Sequence, residues 1–515
     1  MFQNILCWLS THMILSVLLF LAWFLFYRYL KHSKNRALIN KLPGPKGLPL
    51  IGNIDLFSKD DKPIKDKLLP VHKTLCKEFN DFGFYRIRFG HQPIVYCFKA
   101  NTVEPVVMSK TNIVKSESYN LLRIWLRNGL AISSGQRWRE DRKSLTHAFH
   151  LNVLENFVPI FNEHATKLVD HLLQVGKVNN VLQIMKCCTI DALCDTSMGL
   201  KLNSLCQANG NSYMQNIELF MNLFVNRSQN PLIHNDFLYG LTKGGKQAKQ
   251  VVKELHDFTM TIVEKRKQEL AVIENANEDN HADKKCKPRS LLDLLLSLHF
   301  KDPSYFTLVN VQEQLDTFTF AGHDTIALTV TYALWHIARY PDIQSRLQCE
   351  IDTLIEDRCE QDITAGNLKH FHYLECVVRE TLRLYPPAPF FGRKLSEALK
   401  INGYEIPAGT DVWVNLLGLH RDEEMFENAE KFEPDRWIGG KQRKLSPMAY
   451  LPFSGGIRSC IGHKFAINET KIILVHILRS LDVNAVSAKE DKLQVSCLGL
   501  MTPRNSIQLL FSKRS

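Results

Sequence analysis

One cysteine, Cys460, lies in a glycine-rich segment near the end of the chain, residues 452–463. Glycines without a Cβ let main-chain N–H groups approach its sulfur closely. A largely apolar helical stretch follows at 465–481, and a helix N-terminus favours negative charge. Arg458 adds a cation two residues before the cysteine. N–H groups, a helix N-terminus, a cation or a bound metal each lower the pKa of a thiol, so the segment indicates a functional thiolate.

The alternative is that Cys460, one of thirteen cysteines, is simply buried, as free cysteines commonly are. The spacing argues against it, because Phe453, Gly456, Arg458, Cys460 and Gly462 complete the pattern Phe-x-x-Gly-x-Arg-x-Cys-x-Gly. This pattern resembles the haem-binding loop of the cytochrome P-450 monooxygenases. The resemblance implies that Phe453 and Gly462 shape a haem site and that the Cys460 thiolate ligates its iron, an arrangement that favours O–O cleavage.

A second candidate region is the centre of a long predicted helix, residues 309–339. Ala321 and Gly322 reduce the bulk of the helix there, so that a flat ligand could lie against it. Asp324 and Thr325 then provide an acid and a hydroxyl, a pair suited to delivering protons to an oxygen ligand. The alternative is an ordinary helix with an incidental threonine. The stretch resembles the oxygen-binding helix of the same family, which implies catalytic roles for Asp324 and Thr325.

Glu380 and Arg383 share one face of a predicted helix, because they are three residues apart. An exposed pair of this kind would contribute less than about 1 kcal/mol. The surrounding helix is apolar, however, which predicts that the pair is buried and needs further partners. Arg436 can supply one, and the three residues resemble the structural Glu–Arg–Arg triad of the family. Ala429 stands just upstream of Arg436, where many relatives carry proline.

Trp138 and Arg142 lie one above the other on a predicted helix, four residues apart. The pair could be a surface tryptophan with a snorkelling arginine. It resembles the family's Trp-x-x-x-Arg, in which both side chains bind a haem propionate. Arg393 and Arg458 are the other expected propionate partners, since arginine's forked donors suit carboxylates. Four further cations near the expected proximal side form either a solvated face or a docking surface for an acidic reductase: Arg137, Arg139, Lys143 and Lys464.

Two longer stretches resemble the fourth family of these enzymes, which is known for ω-hydroxylation of fatty acids. They are residues 313–325, which include His323, and residues 142–150. One departure concerns Ala321, because many members carry a glutamate here that esterifies the haem. Alanine cannot form that ester, so we expect haem b to be bound non-covalently, which leaves strict selectivity for the terminal methyl group open.

Composition restricts the class of protein. The 515 residues are 45% hydrophobic, and the cysteines form neither a disulfide framework nor a zinc pattern. The net charge of +11 is accompanied by no nucleic-acid motif. We therefore expect an anionic membrane surface and an acidic partner protein, and no nucleic acid.

Residues 5–27 are almost wholly apolar, long enough to span a bilayer, and are followed by basic residues. The positive-inside rule then predicts a single-pass anchor in the endoplasmic reticulum with the bulk of the chain in the cytosol. A cleaved signal peptide is the less favoured alternative. We expect an anchor at 1–30, a basic and proline-rich linker at 31–52, which is either a stiff elbow or a flexible tether, and a catalytic domain at 53–515.

The remaining pattern predicts a mostly α domain with small β-sheets. Helices are predicted at 63–80, 135–149, 153–174, 216–224, 246–269, 289–298, 309–339, 341–356 and 373–384, and strands at 84–89, 93–97 and 411–416. Residues 274–288 are polar and charged and predict a surface loop. The order of motifs resembles the cytochrome P-450 fold from end to end.

The resemblance implies a monooxygenase that hydroxylates an apolar substrate with O2. Electrons come from an NADPH-dependent reductase, and cytochrome b5 is a further possible donor. A fatty acid is the first expectation for the substrate, and a terpenoid, steroid or xenobiotic the next. The remaining alternatives are a haem-thiolate isomerase or dehydratase, which Asp324 and Thr325 argue against, and a non-enzymatic haem sensor or binding protein.

Overall fold

A computed structural model describes most of the chain. The described residues are 16, 19, 23, 33–48, 51–58, 61–90, 92–149, 151–206, 212–278, 290–355, 362–439, 445–486 and 493–514. They form a mostly helical domain with small sheets, which confirms the predicted fold class.

Helices make up most of the described residues. In chain order they are α1 Ser33–Lys41, α2 Ile64–Glu78, α3 Ala100–Val107, α4 Arg123–Leu126, α5 Gly135–Thr146, α6 Leu151–Glu155, α7 Val158–Val175, α8 Val181–Met198, α9 Ser212–Ser228, α10 Asp236–Leu241, α11 Lys243–Glu278, α12 Leu291–Lys301, α13 Leu308–Ile337, α14 Pro341–Leu354, α15 His372–Leu384, α16 Leu416–Leu419 and α17 His463–Ser480. Most residues of α13 are buried, so this helix forms the centre of the domain.

The strands form four small sheets. They are β1 Phe84–Phe89, β2 Gln92–Cys97, β3 Val114–Lys115, β4 Lys177–Val178, β5 Phe390–Lys394, β6 Leu399–Ile401, β7 Tyr404–Ile406, β8 Asp411–Asn415, β9 Leu481–Ala485, β10 Val495–Leu498, β11 Leu500–Pro503 and β12 Leu509–Lys513. The largest sheet has the order β1-β2-β8-β5-β3, with β2 and β8 parallel. Its β3–β5 end places Lys115 opposite Arg393.

Two predicted boundaries were wrong. The single helix expected at 153–174 is two helices, α6 and α7, and Pro159 lies in the first turn of α7, where a missing N–H costs nothing. The loop expected from residue 274 begins later, because α11 continues to Glu278, and residues 279–289 lie outside the described part. The other predicted helices and strands are present within a few residues of their expected ends.

The proline- and glycine-rich segment that precedes the domain is bound along β1. The Arg86 N–H donates to the Pro43 carbonyl at 2.8 Å, and the Asn53 N–H donates to the Arg88 carbonyl at 2.7 Å. Gly52 has a φ of +72°, and a Cβ there would lie 2.3 Å from the Arg88 carbonyl oxygen. Only glycine allows this approach, so the described residues on either side of positions 49 and 50, from Pro43 to Asn53, are held against the sheet.

The predicted membrane span at residues 5–27 lies outside the described part of the chain, apart from Ser16, Leu19 and Trp23, which are exposed. Across the residues that the structure does describe, no helix combines the length and the apolar character needed to cross a bilayer.

Candidate functional site

The Cys460 loop lies between a short 3-10 helix, Gly456–Arg458, and the start of α17. The Cys460 N–H donates to the Phe453 carbonyl at 2.9 Å, which closes the loop. Gly456 has a φ of +63°, and a Cβ there would lie 2.1 Å from the Val107 carbonyl oxygen of α3. The loop can therefore pack against α3 only with glycine at this position. The Phe453 ring is half-buried and lies 6.1 Å from the His463 ring.

Cys460 has accessible surface, although protein atoms lie densely around its sulfur. Desolvation by the surrounding protein atoms raises the pKa of the thiol. The Gly462 N–H and the charges of Arg142 and Lys115 act in the opposite direction. Without a further positive charge the thiol form is therefore favoured. A metal ion at the sulfur would reverse this balance, because a coordinating thiol is deprotonated.

One face of α13 retains accessible surface in the middle of an otherwise buried helix. Phe318, Ala321 and Thr325 share this face, and Ala321 is the most exposed of the three. The Phe318 ring stacks on Phe149 at 5.1 Å, and a Cβ at Gly462 would lie 3.8 Å from the same Phe149 ring. Phe149 therefore lies between the Phe318 end of this face and the Cys460 loop.

Gly322 is not part of that face. A Cβ at this position would lie 2.9 Å from a Leu193 methyl group of α8, so its small size serves the close packing of α13 on α8. We expected Ala321 and Gly322 together to reduce the bulk of one face for a flat ligand. Only Ala321 lies on that face, so the expectation was wrong for Gly322.

Asp324 and Thr325 project in different directions. The Thr325 hydroxyl donates to the Ala321 carbonyl at 2.9 Å and lies on the accessible face. Asp324 is buried, and its Oδ1 lies 3.0 Å from Lys186 Nζ of α8 and 3.6 Å from His323 Nε2. The expected acid–hydroxyl pair is therefore not hydrogen-bonded directly.

Lys186 connects this buried acid to the surface. Its Nζ also lies 3.5 Å from Oε1 of Glu218 on α9, a side chain that is about a third exposed. Burial alone would raise the pKa of Asp324, but the charges of His323 and Lys186 outweigh it and lower that pKa. The two carboxylates in turn raise the pKa of Lys186 against the opposing effect of its burial.

Four cations converge beside the Cys460 loop, and we refer to Lys115, Arg142, Arg393 and Arg458 as the cation cluster. Burial and then the charges of Arg393 and Arg142 lower the pKa of Arg458 to about 9. Burial, followed by the same kind of repulsion, lowers the pKa of Lys115 well below its ordinary value. Among the described carboxylates, none lies within 4.0 Å of any of the four.

Trp138 contributes to this cluster through Arg458. The Arg458 guanidinium lies 4.0 Å from the centre of the Trp138 ring and donates to the carbonyls of Ile113 at 3.0 Å and Ser133 at 2.6 Å. These bonds fix the guanidinium but leave its charge without an anion. Lys115 is the member that the sequence did not predict. Its position opposite Arg393 depends on a two-residue strand with no detectable pattern.

These residues fit a haem. Buried cations without counter-charges are costly, and two carboxylate groups would satisfy them. Cys460 has accessible surface beside them, and the small side chain of Ala321 lies on the accessible face of α13. A carboxylate-bearing, flat and metal-containing ligand therefore matches the donor set.

Glu380, Arg383, Arg436 and Trp437 form a separate buried cluster, the Glu380 network. Arg383 Nε and Nη2 each donate to a different oxygen of Glu380 at 2.8 Å, and Arg436 Nε donates to Oε1 at 2.9 Å. The Trp437 Nε1–H donates to Oε2 at 2.9 Å. Arg383 also donates to the carbonyl oxygens of His420, Ala429 and Lys431. The predicted triad is thus brought together inside the protein.

The basic residues expected on a docking face divide into two groups. Arg137 makes ion pairs with Glu313 and, at 3.6 Å, with Asp141, so it holds α5 against α13. Arg139, Lys143 and Lys464 are exposed. Only these three remain available to a partner protein. His150, at the end of the stretch 142–150, lies outside the described residues.

Comparison with known proteins decides the family. A sequence model described as Cytochrome P450 matches residues 42–511. The chain belongs to the cytochrome P450 family. This membership establishes a haem-dependent monooxygenase, an oxidoreductase, as the class of protein.

Curated relatives place the chain near the fourth family. It is 31% identical over 497 residues to cytochrome P450 4c3 of Drosophila melanogaster, covering 94% of this chain and 91% of that protein. It is 33% identical over 481 residues to cytochrome P450 4V2 of Homo sapiens, covering 91% and 89%. Among solved structures, the cytochrome P450DA heme domain matches with a TM-score of 0.78 at 20% identity, covering 92% of this chain and 98% of that one. That last likeness shows the fold.

Proposed function

We propose that this P450 hydroxylates an unactivated C–H bond of an apolar substrate, with a fatty acid as the first choice, using O2 and electrons from an NADPH-dependent reductase. The observation that carries the proposal is that Phe149 joins the Cys460 loop to the Ala321 face of α13, beside four cations with no described carboxylate within 4.0 Å. Residues 53–515 form the catalytic domain in this proposal.

Haem supplies the oxygen-activating chemistry when it is bound, with Cys460 Sγ as the ligand to its iron. Arg142, Arg393 and Lys115 hold its two carboxylate groups by charge-assisted hydrogen bonds. Arg458 contributes charge from a position fixed by carbonyl oxygens, and Trp138 supports its guanidinium. Phe453 and Gly462 shape the loop, and the methyl group of Ala321 allows close approach of the flat ring.

Protons reach the site through Asp324. Lys186 holds the carboxylate away from the accessible face, at 3.0 Å from Oδ1, and Glu218 competes for the same ammonium group. When Lys186 moves toward Glu218, the Asp324 side chain turns toward the Thr325 hydroxyl. Once protonated, the Asp324 carboxyl gives its proton to the Thr325 oxygen as the Thr325 hydroxyl releases its own proton toward the accessible face of α13.

The haem is non-covalently bound in this proposal, because Ala321 offers no carboxyl to esterify it. Acid–acetone extraction should leave no haem on the polypeptide. Ala321→Glu should retain a measurable fraction of the haem after the same extraction, because the new carboxyl would stand on the accessible face of α13. Complete extraction from this variant would contradict the assigned face, whereas retention by the wild type would contradict non-covalent binding.

The chain acts at the membrane of the endoplasmic reticulum, anchored once by residues 1–30 and joined to the domain by residues 31–52. An exposed apolar group supports contact with a bilayer: Leu232 is 79% exposed, Phe237 74% and Leu241 63%. Arg139, Lys143 and Lys464 provide the docking charge for the acidic reductase and for cytochrome b5.

The deciding experiment uses the purified protein in lipid vesicles with reductase and NADPH. The reduced protein should show the red-shifted carbon monoxide band of a thiolate-ligated haem, and Cys460→Ser should lose that band. A panel of fatty acids, terpenoids and steroids is then analysed for hydroxylated products. Products from terpenoids or steroids alone would replace the fatty-acid assignment. The band without any NADPH-dependent product would favour a haem-thiolate isomerase or a haem sensor instead.

A further inference from the structure

His323 directly precedes Asp324 on α13. It is 1% exposed, and its Nδ1 lies 2.8 Å from the carbonyl oxygen of Thr319. A carbonyl oxygen only accepts hydrogen bonds, so Nδ1 must carry a hydrogen. The protonation state of this imidazole is therefore decided at Nε2 alone.

The Nε2 atom of His323 lies 3.6 Å from Oδ1 of Asp324, and no hydrogen-bond partner for it is found among the described residues. The Thr189 hydroxyl donates to the His323 carbonyl at 3.0 Å, which holds this turn of α13 against α8. If His323 were neutral and Asp324 ionised, two acceptors would face each other in a buried place. One proton between Nε2 and Oδ1 removes this conflict.

His336 lies thirteen residues later on the same helix. Comparing it with His323 separates the effect of the neighbouring Asp324 from the effect of burial. Nδ1 of His336 makes the same bond to the carbonyl four residues back, at 2.8 Å from the oxygen of Tyr332. Its ring stacks on Phe432 at 3.9 Å, and no described carboxylate lies within 4.0 Å of it. Burial lowers the pKa of His336 to about 3, so this histidine is neutral. The adjacent acid distinguishes His323 from it.

We propose that His323 is a positioning residue that shares one proton with Asp324. The proton lies on Nε2 while Lys186 holds the Asp324 carboxylate, and it lies on Oδ1 when the carboxyl group turns toward Thr325. The N–H bond breaks as the O–H bond forms, so an imidazolium–carboxylate pair becomes an imidazole and a carboxylic acid with no net change in charge. The inference rests on the proposed proton path through Asp324.

The surrounding charges make the transfer conditional on Lys186. Lys186 of α8 is the charged group that contacts Asp324 from a neighbouring helix, and Glu218 of α9 faces Lys186 in turn. While Lys186 lies at Oδ1, the carboxylate is favoured; when Lys186 turns to Glu218, Asp324 loses one of its two cationic neighbours and takes the proton from His323.

The test uses His323→Gln and His323→Phe in the haem-loaded protein. Glutamine keeps an N–H near the position of Nε2 but cannot release a proton, whereas phenylalanine removes the N–H as well. His336→Gln is the matched control, because it replaces a histidine with the same backbone bond and no adjacent acid. The carbon monoxide band of each variant establishes that it folds and binds haem.

The first measurement is the infrared carbonyl band of protonated Asp324 as a function of pH, assigned by its loss in Asp324→Asn. Removing the His323 charge should raise the pKa of Asp324 in both His323 variants and leave it unchanged in His336→Gln. An unchanged titration in both His323 variants overturns the inference. This readout does not depend on substrate turnover.

The second measurement is made during turnover with the reductase. His323→Gln should lower the product formed per NADPH consumed by about threefold or more and increase the solvent deuterium isotope effect on kcat, with the KM for substrate unchanged. Wild-type coupling and isotope effect in His323→Gln would overturn the inference. A wild type that forms no product would instead refute the proposed function, while the infrared titration would still test the shared proton.

Discussion

The Glu380 network and the cation cluster both place charge inside the protein, but they satisfy it differently. Glu380 accepts five hydrogen bonds, from Arg383 twice, from Arg436, from Trp437 and from the Glu433 N–H. Burial alone would raise the pKa of Glu380, but its arginine partners outweigh burial and lower it. Each charged group in this network therefore has an oppositely charged partner within the chain.

The cation cluster has no such oppositely charged partner among the described residues. Burial lowers the pKa values of Arg142, Arg393, Arg458 and Lys115, and no described carboxylate pairs with them. A buried charge with partners stabilises a fold, whereas buried charges of one sign without partners are costly until a ligand arrives. The comparison therefore separates a site that supports the architecture from a site that binds.

Breaking the Glu380 network should have the largest effect. Glu380→Gln leaves the buried guanidinium of Arg383 without an anion, and the new amide group would direct an N–H at other N–H groups. We expect a loss of about 3–5 kcal/mol in the free energy of unfolding, sufficient to prevent accumulation of folded protein. Urea unfolding followed by circular dichroism, together with soluble yield, measures this loss.

Asp435→Asn is the matched control for that change. Asp435 lies beside Arg436 and pairs with Arg346 at 2.7 Å, but both side chains are nearly half exposed. Exposed pairs contribute less than about 1 kcal/mol, so this variant should unfold almost as the wild type does. Equal destabilisation by the two substitutions would show that burial does not distinguish the network.

Removing a member of the cation cluster should act on the ligand instead. Arg393→Met deletes a buried cation that has no anionic partner among the described residues, so the helical circular dichroism should persist. It should lose a charge-assisted bond to a haem carboxylate, worth about 1.5–3 kcal/mol, and so release haem about 10–100-fold faster. Transfer of haem to an excess of apomyoglobin measures the rate.

Arg139→Met on α5 supplies the control for haem release, because Arg139 is exposed and lies outside the cluster. It should release haem at the wild-type rate. If Arg393→Met instead lowered the stability of the protein as much as Glu380→Gln does, the cation cluster would have to be reassigned as part of the architecture.

The two regions also differ in what the sequence could predict. The pairing of Glu380 with Arg383 follows from helical spacing, because residues three apart share a face. Arg436 could be added only by resemblance, and the Trp437 indole was not anticipated. These residues are 56 and 57 positions from Glu380, and local spacing does not predict where so distant a segment packs. Lys115 was missed for the same reason: it meets Arg393 through a short strand far away in sequence.

Helix α8 shows where hydrophobic periodicity fails to predict a helix. It is buried on nearly every side, so its sequence has no polar stripe to reveal a helical period, and it was not predicted. Yet α8 provides Lys186 for Asp324 and Leu193 for Gly322. The acid on α13 was recognisable from the sequence, but its partner and direction were not.

Asp141 is an intermediate case between the two regions and should give the smallest of these effects. It lies on α5 with Arg142, and its carboxylate accepts from Gln314 Nε2 at 3.3 Å while Arg137 Nε lies at 3.6 Å. Burial, aided by the negative charge of Glu313 and only partly offset by Arg137, raises its pKa from 3.8 to about 6. The protein thus favours the protonated form.

The sign of the resulting pH dependence follows from that pKa. Well below pH 3.8 the carboxyl is protonated in both folded and unfolded chains. Between pH 3.8 and about 6 the unfolded chain is ionised while the folded carboxyl stays protonated, so the folded state loses stability as pH rises across this range. Asp141→Asn should remove this loss, raising the free energy of unfolding by about 1–2 kcal/mol at pH 7.5 and by less at pH 5. Urea titrations at both pH values measure the difference, with the exposed Asp170→Asn as control. Destabilisation of Asp141→Asn at pH 7.5 would instead place Asp141 with Glu380, as an anion that its donors already satisfy.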